Sequence, residues 1–213
     1  MENKFSVVIP TLWQSDRIVK LINDLHECEL VGEIILIDNT GELDKHSDKF
    51  FTTDKLRVYQ PESNLFVAGS WNKGIEMARY DYIALSNDDI NFNTELFQDV
   101  LNKGLDGIVG QASENYHRSS DELLTYFQPL EGTRPWGWGC LMLFPKDKWV
   151  PVPNELRVWY NDDFINRYNP APQYVLNGWR IETEMSTTSD QPIYNPIKQQ
   201  DSQVWNNIVR QRG

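Results

Sequence analysis

The feature that most limits how this chain can fold is a series of short apolar runs, each closing on polar residues. Residues 5–9 are a β-branched run stopped by Pro10 and Thr11, and residues 33–37 are a second run ending in Asp38-Asn39-Thr40-Gly41. Residues 56–59 form a third, and residues 82–85 a fourth that closes on Ser86-Asn87-Asp88-Asp89. Runs this short and this continuous read as strands covered on both faces. Between the first two, residues 15–25 place Ile18, Val19, Leu21, Ile22 and Leu25 at helical spacing, with Ser15 or Asp16 available as N-cap. Residues 71–79 read as a second helix. Strand, helix, strand, strand, helix, strand within roughly 90 residues predicts a parallel α/β sheet. Ligands of such sheets bind off the carboxyl ends of the strands. Pro10-Thr11, Asp38-Asn39 and residues 86–89 are therefore expected on one edge, lining one site.

The second half has a different texture. It holds a glycine-rich stretch at 132–139, an apolar strand at 140–144 and a short helix at 162–168. Beyond Ile181 the chain is polar and interrupted by proline until a helical turn or two at 204–209. With no repeat and no linker in 213 residues, one domain is expected over 1–213. The change of texture divides it into residues 1–92 and 93–213.

Charge narrows the partners. A formal net charge of −11 repels nucleic acid and anionic membrane surfaces, and no basic patch counters it. An acidic protein still binds a phosphorylated small molecule when a divalent cation sits between the two. Cys28 and Cys140 lack metal-ligand spacing, so they are expected as free thiols. The chain runs from Met1 into a strand, and no apolar run approaches the ~20 residues of a membrane span. It is read as cytoplasmic, without a membrane anchor. Eight tryptophans, several of them between Trp136 and Trp179, either line a carbohydrate- or base-stacking surface or belong to the core.

Two adjacent carboxylates at a strand end, Asp88 and Asp89, suit a hard cation such as Mg²⁺ or Mn²⁺ that takes oxygen ligands and completes its shell with water and phosphate. Taken alone, the pair is equally explained as a cap for the helix expected near Thr94.

The order of blocks around it resembles the inverting, nucleotide-sugar-dependent glycosyltransferases of family 2, which have the GT-A fold. Residues 7–11 (Val-Val-Ile-Pro-Thr) are similar to that family's opening strand, whose end borders the nucleotide. Residues 34–40 are similar to its second strand, in which the Asp, here Asp38, contacts the base. The stretch from Asn64 through Gly69 and Asn72 to Gly74 resembles a glycine- and asparagine-bearing family motif, and Asn87-Asp88-Asp89 stands where the family carries its metal-binding acidic motif. Trp136-Gly137-Trp138-Gly139 and the strand after it resemble the acceptor side. Residues 159–164 with Arg167 resemble the acidic helix start that supplies a catalytic base. A carboxylate at a helix N-terminus is held ionised by the local dipole, ready to take a proton.

The resemblance implies a GT-A fold, Rossmann-like, with a mostly parallel central sheet flanked by helices. It also implies transfer of a sugar from a nucleoside-diphosphate sugar, UDP-sugar by family habit, to an acceptor hydroxyl with inversion. The implied nucleotide-sugar-binding residues are Pro10, Thr11, Asp38, Asn64, Asn72, Asn87 and Asp88. Asp88 and Asp89 hold Mn²⁺ or Mg²⁺, Asp162 or Asp163 is the base, and Trp136 and Trp138 meet the acceptor. That acceptor is a glycan, a protein, a small molecule or a modified nucleobase.

The chain departs from the pattern at several points. Phe66 replaces the usual glycine after Asn64, and Ser86 or Asn87 takes the first acidic position. Asn161 stands for Glu, and Arg167 follows one residue early, so Asp162 and Asp163 both stay open as the base. His26, His46 and His117 all lie too early to be the family's late histidine ligand, leaving Glu182 or Glu184 near that region. Two other readings remain: a nucleotidyltransferase, disfavoured because residues 11–17 carry a single Arg, and a nucleotide-sugar-binding module without turnover.

Overall fold

The computed structural model describes residues 3–49, 53–111, 125–183 and 191–212. Five strands come from the first half: β1 (Phe5–Thr11), β2 (Val31–Asp38), β3 (Leu56–Tyr59), β4 (Tyr82–Ser86) and β5 (Ile90–Phe92). The second half adds β6 (Ile108–Gln111), β7 (Tyr126–Pro129), β8 (Leu141–Pro145), β9 (Gln173–Asn177) and β10 (Ile181–Thr183). The helices are α1 (Arg17–Glu27), α2 (Phe66–Met77), α3 (Leu96–Asn102), α4 (Asn161–Tyr168) and α5 (Asn195–Arg212).

Eight strands make one sheet in the order β3-β2-β1-β4-β8-β6-β9-β7, while β10 and β5 pair separately. From β3 to β4 every pairing is parallel, as the apolar runs implied. β8 then runs antiparallel to both β4 and β6, so the sheet is mixed, and it continues unbroken from the first half of the chain into the second.

Side-chain alternation divides the core into two layers. On β1, Phe5, Val7 and Ile9 join Ile18, Leu21, Ile22 and Leu25 of α1 and Phe97 of α3 on one face. Val8 points the other way, toward Ala68, Trp71 and Ile75 of α2 and Phe164 and Ile165 of α4. Each fully buried side chain of this size contributes roughly 1.5–3 kcal/mol. The contact between α2 and β1 depends on Gly74, where a Cβ would come within 2.1 Å of Val8 Cγ1. A buried carboxylate pins the far edge. Glu33 on β2 accepts from Ser6 Oγ at 2.7 Å, Arg57 Nη1 at 2.6 Å and the Arg79 N–H at 2.6 Å, tying β1, β2, β3 and the end of α2 together.

Tertiary contacts decided several element ends. α2 begins five residues before its apolar pattern does, because three of its first N–H groups find acceptors outside the helix. Leu65 N–H donates to Asn39 Oδ1, Phe66 N–H to Asn64 Oδ1 and Val67 N–H to the Arg157 carbonyl. α1 starts where expected: Ser15 Oγ accepts the Arg17 N–H, and Asp16 makes no side-chain cap. α5 is 18 residues long, far more than the turn or two expected at 204–209. Its polar sequence gives little periodic signal, but Trp205 stacks on Tyr160 at 5.5 Å and the buried Asp201 docks on residues 157–159. The described helices include none long and apolar enough to cross a membrane.

Candidate functional site

The parallel strands bring their polar ends together. Thr11 lies opposite Asp38 in the β1–β2 register, the Asn39 N–H donates to the Thr11 carbonyl, and β4 leaves the sheet beside β1 at Ser86. These ends open onto a cleft of about 380 Å³. Pro10, Thr11, Asn39, Asn64 and residues 87–89 line it from the first half of the chain. Arg134, Trp136, Gly139 and residues 158–163 line it from the second, with Phe66 and Trp71 of α2 between.

Asp88 and Asp89 do not cap a helix. Residues 90–92 form β5 and pair with β10, and α3 starts only at Leu96, after Asn93 Oδ1 accepts the Glu95 N–H. The strand carries the acidic pair away from that helix and leaves it in the cleft. Thr11 Oγ donates to Asp88 Oδ2 at 2.6 Å and accepts the Trp13 N–H at 2.8 Å, which fixes the carboxylate against the end of β1. Burial pushes the Asp88 carboxyl up to about 6; the Thr11 hydroxyl opposes that shift and the neighbouring charge of Asp89 adds to it. Two crowded carboxylates with an amide beside them are a hard-oxygen donor set that fits a divalent cation sharing its shell with phosphate. No group of three acidic, histidine or cysteine side chains joins them among the described residues. Glu182 sits instead at 3.6 Å from both Arg17 and Arg180, on a separate groove, and Glu184 and His117 lie outside the described residues.

Asp38 is buried and saturated. Its Oδ1 accepts from Trp13 Nε1, the Thr40 hydroxyl and the Thr40 and Gly41 N–H groups, and its Oδ2 accepts from Leu43 N–H and Gln60 Nε2. Burial raises its carboxyl, but Gln60, Trp13 and the loop amides outweigh that and hold it below the ordinary range. Asp38 thus organises the loop after β2, while its neighbour Asn39 reaches the cleft. Asn72 is likewise engaged elsewhere. Its amide donates to the Val152 carbonyl at 2.7 Å and its Oδ1 accepts the Val152 N–H, clamping α2 to the 152–154 segment away from the cleft lining.

The two tryptophans expected at the acceptor side separate. Trp136 is 66% exposed and lines the cleft. Trp138 is fully buried and donates from Nε1 to the Tyr174 carbonyl at 2.9 Å, so it is a core residue and offers no stacking face. Gly137, with φ of 77°, turns the chain between them.

Asp162 and Asp163 open α4 and line the same cleft, and Arg134 reaches both, at 2.9 and 3.0 Å. Burial pushes the Asp162 carboxyl up to about 6, against the pull of Arg134 and with the charge of Asp163 adding to the rise. Gly139 makes this placement possible, since a Cβ there would lie 2.9 Å from Asp162 Oδ2. Arg167 is exposed and packs on Tyr168, outside the lining.

Asn39 lines the cleft as its strand-end position implied, whereas Arg134 and Asp201 were not anticipated from the sequence. Arg134 is a lone cation inside the glycine-tryptophan stretch, which was itself a usable signal. Asp201 had none: it is fully buried, and it accepts the N–H groups of Arg157, Val158 and Trp159 at 3.2, 2.8 and 2.9 Å, holding the loop that leads into α4.

The family model described as Glycosyl transferase family 2 matches residues 6–146, from β1 to the end of β8, and stops before α4. No curated protein matches the chain by sequence. Among solved structures, S. aureus TarS 1-349 in complex with UDP-GlcNAc aligns with a TM-score of 0.60 at 16% identity, covering 88% of this chain and 61% of that one. The TarS 1-349 complex with UDP gives 0.59 at 17%, covering 84% and 59%. GalNAc-T7 with UDP, GalNAc and Mn²⁺ gives 0.59 at 12%, covering 84% and 43%. At such identities the likeness speaks for the fold, and the chain spans at most about three fifths of these structures.

Proposed function

Because this chain belongs to glycosyl transferase family 2, we propose that it transfers a sugar from a nucleoside-diphosphate sugar to an acceptor hydroxyl, with inversion at the anomeric carbon. The observation that carries this reading is that the Asp88–Asp89 pair and the Asp162–Asp163 pair line one cleft. Pro10, Thr11, Asn39 and Asn64 border the nucleoside, with Asp38 shaping their loop from beneath. Asn87, Asp88 and Asp89 face the diphosphate. A divalent cation held by Asp88 and Asp89 supplies charge neutralisation of the diphosphate leaving group.

From the start of α4, the carboxylate of Asp162 or Asp163 takes the proton of the acceptor hydroxyl. The acceptor oxygen bonds to the anomeric carbon as the bond from that carbon to the diphosphate oxygen breaks, which inverts the configuration. Trp136 offers its exposed face to the acceptor. The UDP complexes of TarS and the UDP and Mn²⁺ complex of GalNAc-T7 support UDP as the nucleotide and Mn²⁺ as the cation. Residues 1–92 then serve the donor and 93–213 the acceptor.

A panel of UDP-, GDP- and TDP-sugars with and without Mn²⁺, read by nucleoside-diphosphate release, tests this. Steady release that stops in Asp162→Asn or Asp163→Asn while donor binding survives supports it. Binding without release from any donor would instead make the chain a nucleotide-sugar-binding module. Replacing Asp88 and Asp89 together by Ala should abolish the Mn²⁺ dependence of donor affinity, and unchanged dependence would remove the metal assignment.

A further inference from the structure

The two acidic residues that open α4 are not equivalent, and the loop ahead of β8 makes them so. A single guanidinium nitrogen of Arg134, Nη2, lies 2.9 Å from Asp162 Oδ1 and 3.0 Å from Asp163 Oδ2. The Arg134 backbone N–H also donates to Asn166 Oδ1 at 3.3 Å, one turn further along α4. The loop is therefore stitched to the helix at two levels. The Arg134 side chain is only 15% exposed, so its charge acts where water screens it little.

The remaining oxygens differ in their surroundings. Asp162 Oδ1 forms the ion pair with Arg134 and accepts the Asp163 N–H at 3.1 Å. Asp162 Oδ2 is not the oxygen paired with Arg134 and lies over Gly139. The next residue, Cys140, accepts the Asn87 N–H through its carbonyl at 2.9 Å, so this oxygen sits on the side of the donor cluster. Asp163 also gives one oxygen, Oδ2, to Arg134, but no contact carries its other oxygen to the Gly139–Cys140 side among the described residues.

Building on the transferase reading above, we propose that Arg134 is a positioning residue. It engages one oxygen of each aspartate, and of the two oxygens left over it is Asp162 Oδ2, packed over Gly139 beside the Cys140–Asn87 link, that takes the acceptor proton as the base. The acceptor proton moves to Oδ2 while Oδ1 stays on Arg134, whose charge continues to offset Asp163. The other ionisable groups lining the cleft are Asp88 and Asp89 from the strand end, Cys140 beneath, and Tyr160 and Asp163 from the start of α4. Arg134 is the cation in that lining. Without it the charges of the described lining that face Asp162 are those of carboxylates, so its proton affinity rises and less base is present at neutral pH.

Arg134→Met and Arg134→Lys test this with two independent readouts. The first is the titration of Asp162, followed by ¹³C NMR of aspartate-labelled protein and assigned by the signal lost in Asp162→Asn. The Met variant should titrate about one pH unit higher than wild type and the Lys variant close to it, since a nearby opposite charge lowers a carboxyl pKa by ~1–3 units. The second is UDP release from a UDP-sugar panel with Mn²⁺ and water as acceptor. The Met variant should lose about tenfold or more in kcat with UDP-sugar affinity unchanged, and the deficit should persist above pH 8, because misplacement is not relieved by ionisation. Lys should restore part of kcat.

An unmoved Asp162 titration in a Met variant that melts as wild type does would overturn the proposal. So would equal losses of donor affinity and kcat, which would place Arg134 on the donor. If the Met variant unfolds, the Lys variant decides by the split between kcat and donor affinity. If no UDP-sugar is turned over by wild type, the transferase reading fails, while the titration still decides whether Arg134 governs Asp162.

Discussion

Gly139→Ala is the smallest change that should disturb the chemistry without touching an ionisable group. A Cβ built on Gly139 stands 2.9 Å from Asp162 Oδ2, 3.0 Å from its Cβ and 3.2 Å from its Cγ. Carbon atoms pack comfortably at about 3.5–4.0 Å, so Asp162 must retreat by roughly 0.5–1 Å. It cannot do so freely. Its Oδ1 is held by Arg134, and the next residue is tied to the same cation. Overpacking of this kind costs about 1–3 kcal/mol. For a chain of this length that lowers Tm by roughly 2–12 °C. A reacting group displaced by about 1 Å loses on the order of 10²-fold in rate. The assay is nucleoside-diphosphate release on whichever donor wild type turns over, with donor affinity measured by calorimetry and stability by thermal melting. Turnover should fall about a hundredfold while donor affinity holds. Wild-type turnover together with an unchanged Tm would refute the reasoning, because Asp162 would then not depend on the bare backbone at 139.

Three further outcomes follow from the same geometry. Trp138→Ala should cost about 3–5 kcal/mol in chemical denaturation, whereas Trp136→Ala should change stability by less than about 0.5 kcal/mol and act only on the apparent KM for an acceptor. Asp201→Ala should destabilise by about 2–4 kcal/mol and slow turnover, since it orphans three backbone N–H groups of the loop into α4; a variant with native melting would show that α5 does not hold that loop. The third concerns acid stability. Burial of Glu33 raises its carboxyl, but Ser6, Arg57 and the Arg79 N–H outweigh it, so its folded pKa lies below the ordinary 4.5. Stability from a lowered pKa is present above the unfolded value and is lost as pH falls through the folded one. Glu33→Gln should therefore lower Tm at pH 7 and flatten the loss seen below about pH 4, and an unchanged pH profile would count against the ion-pair account.

How much of this was legible beforehand depended on whether a signal was local. The four apolar runs and their polar ends gave the parallel half of the sheet because buried strands leave a continuous hydrophobic trace. β5, β7 and β10 left none: they are three or four residues long, and β7 is largely exposed. The acidic cluster could be placed at a strand end but not separated from a helix cap until the β5–β10 pairing carried it away from α3.

The sequence by itself determined the order β1, α1, β2, β3, α2, β4, the acidic pairs at 88–89 and 162–163, and the family resemblance, since all of these are written in contiguous residues. Only the tertiary structure decided which of those residues face the cleft. It sent Trp138 into the core, engaged Asp38 and Asn72 in hydrogen bonds of their own, and brought Arg134 onto Asp162 and Asp163 from 28 and 29 residues away. The physical reason is that a side chain's role depends on which polar groups must be satisfied around it once water is excluded. Those partners are set by packing between distant segments, and no local pattern announces them.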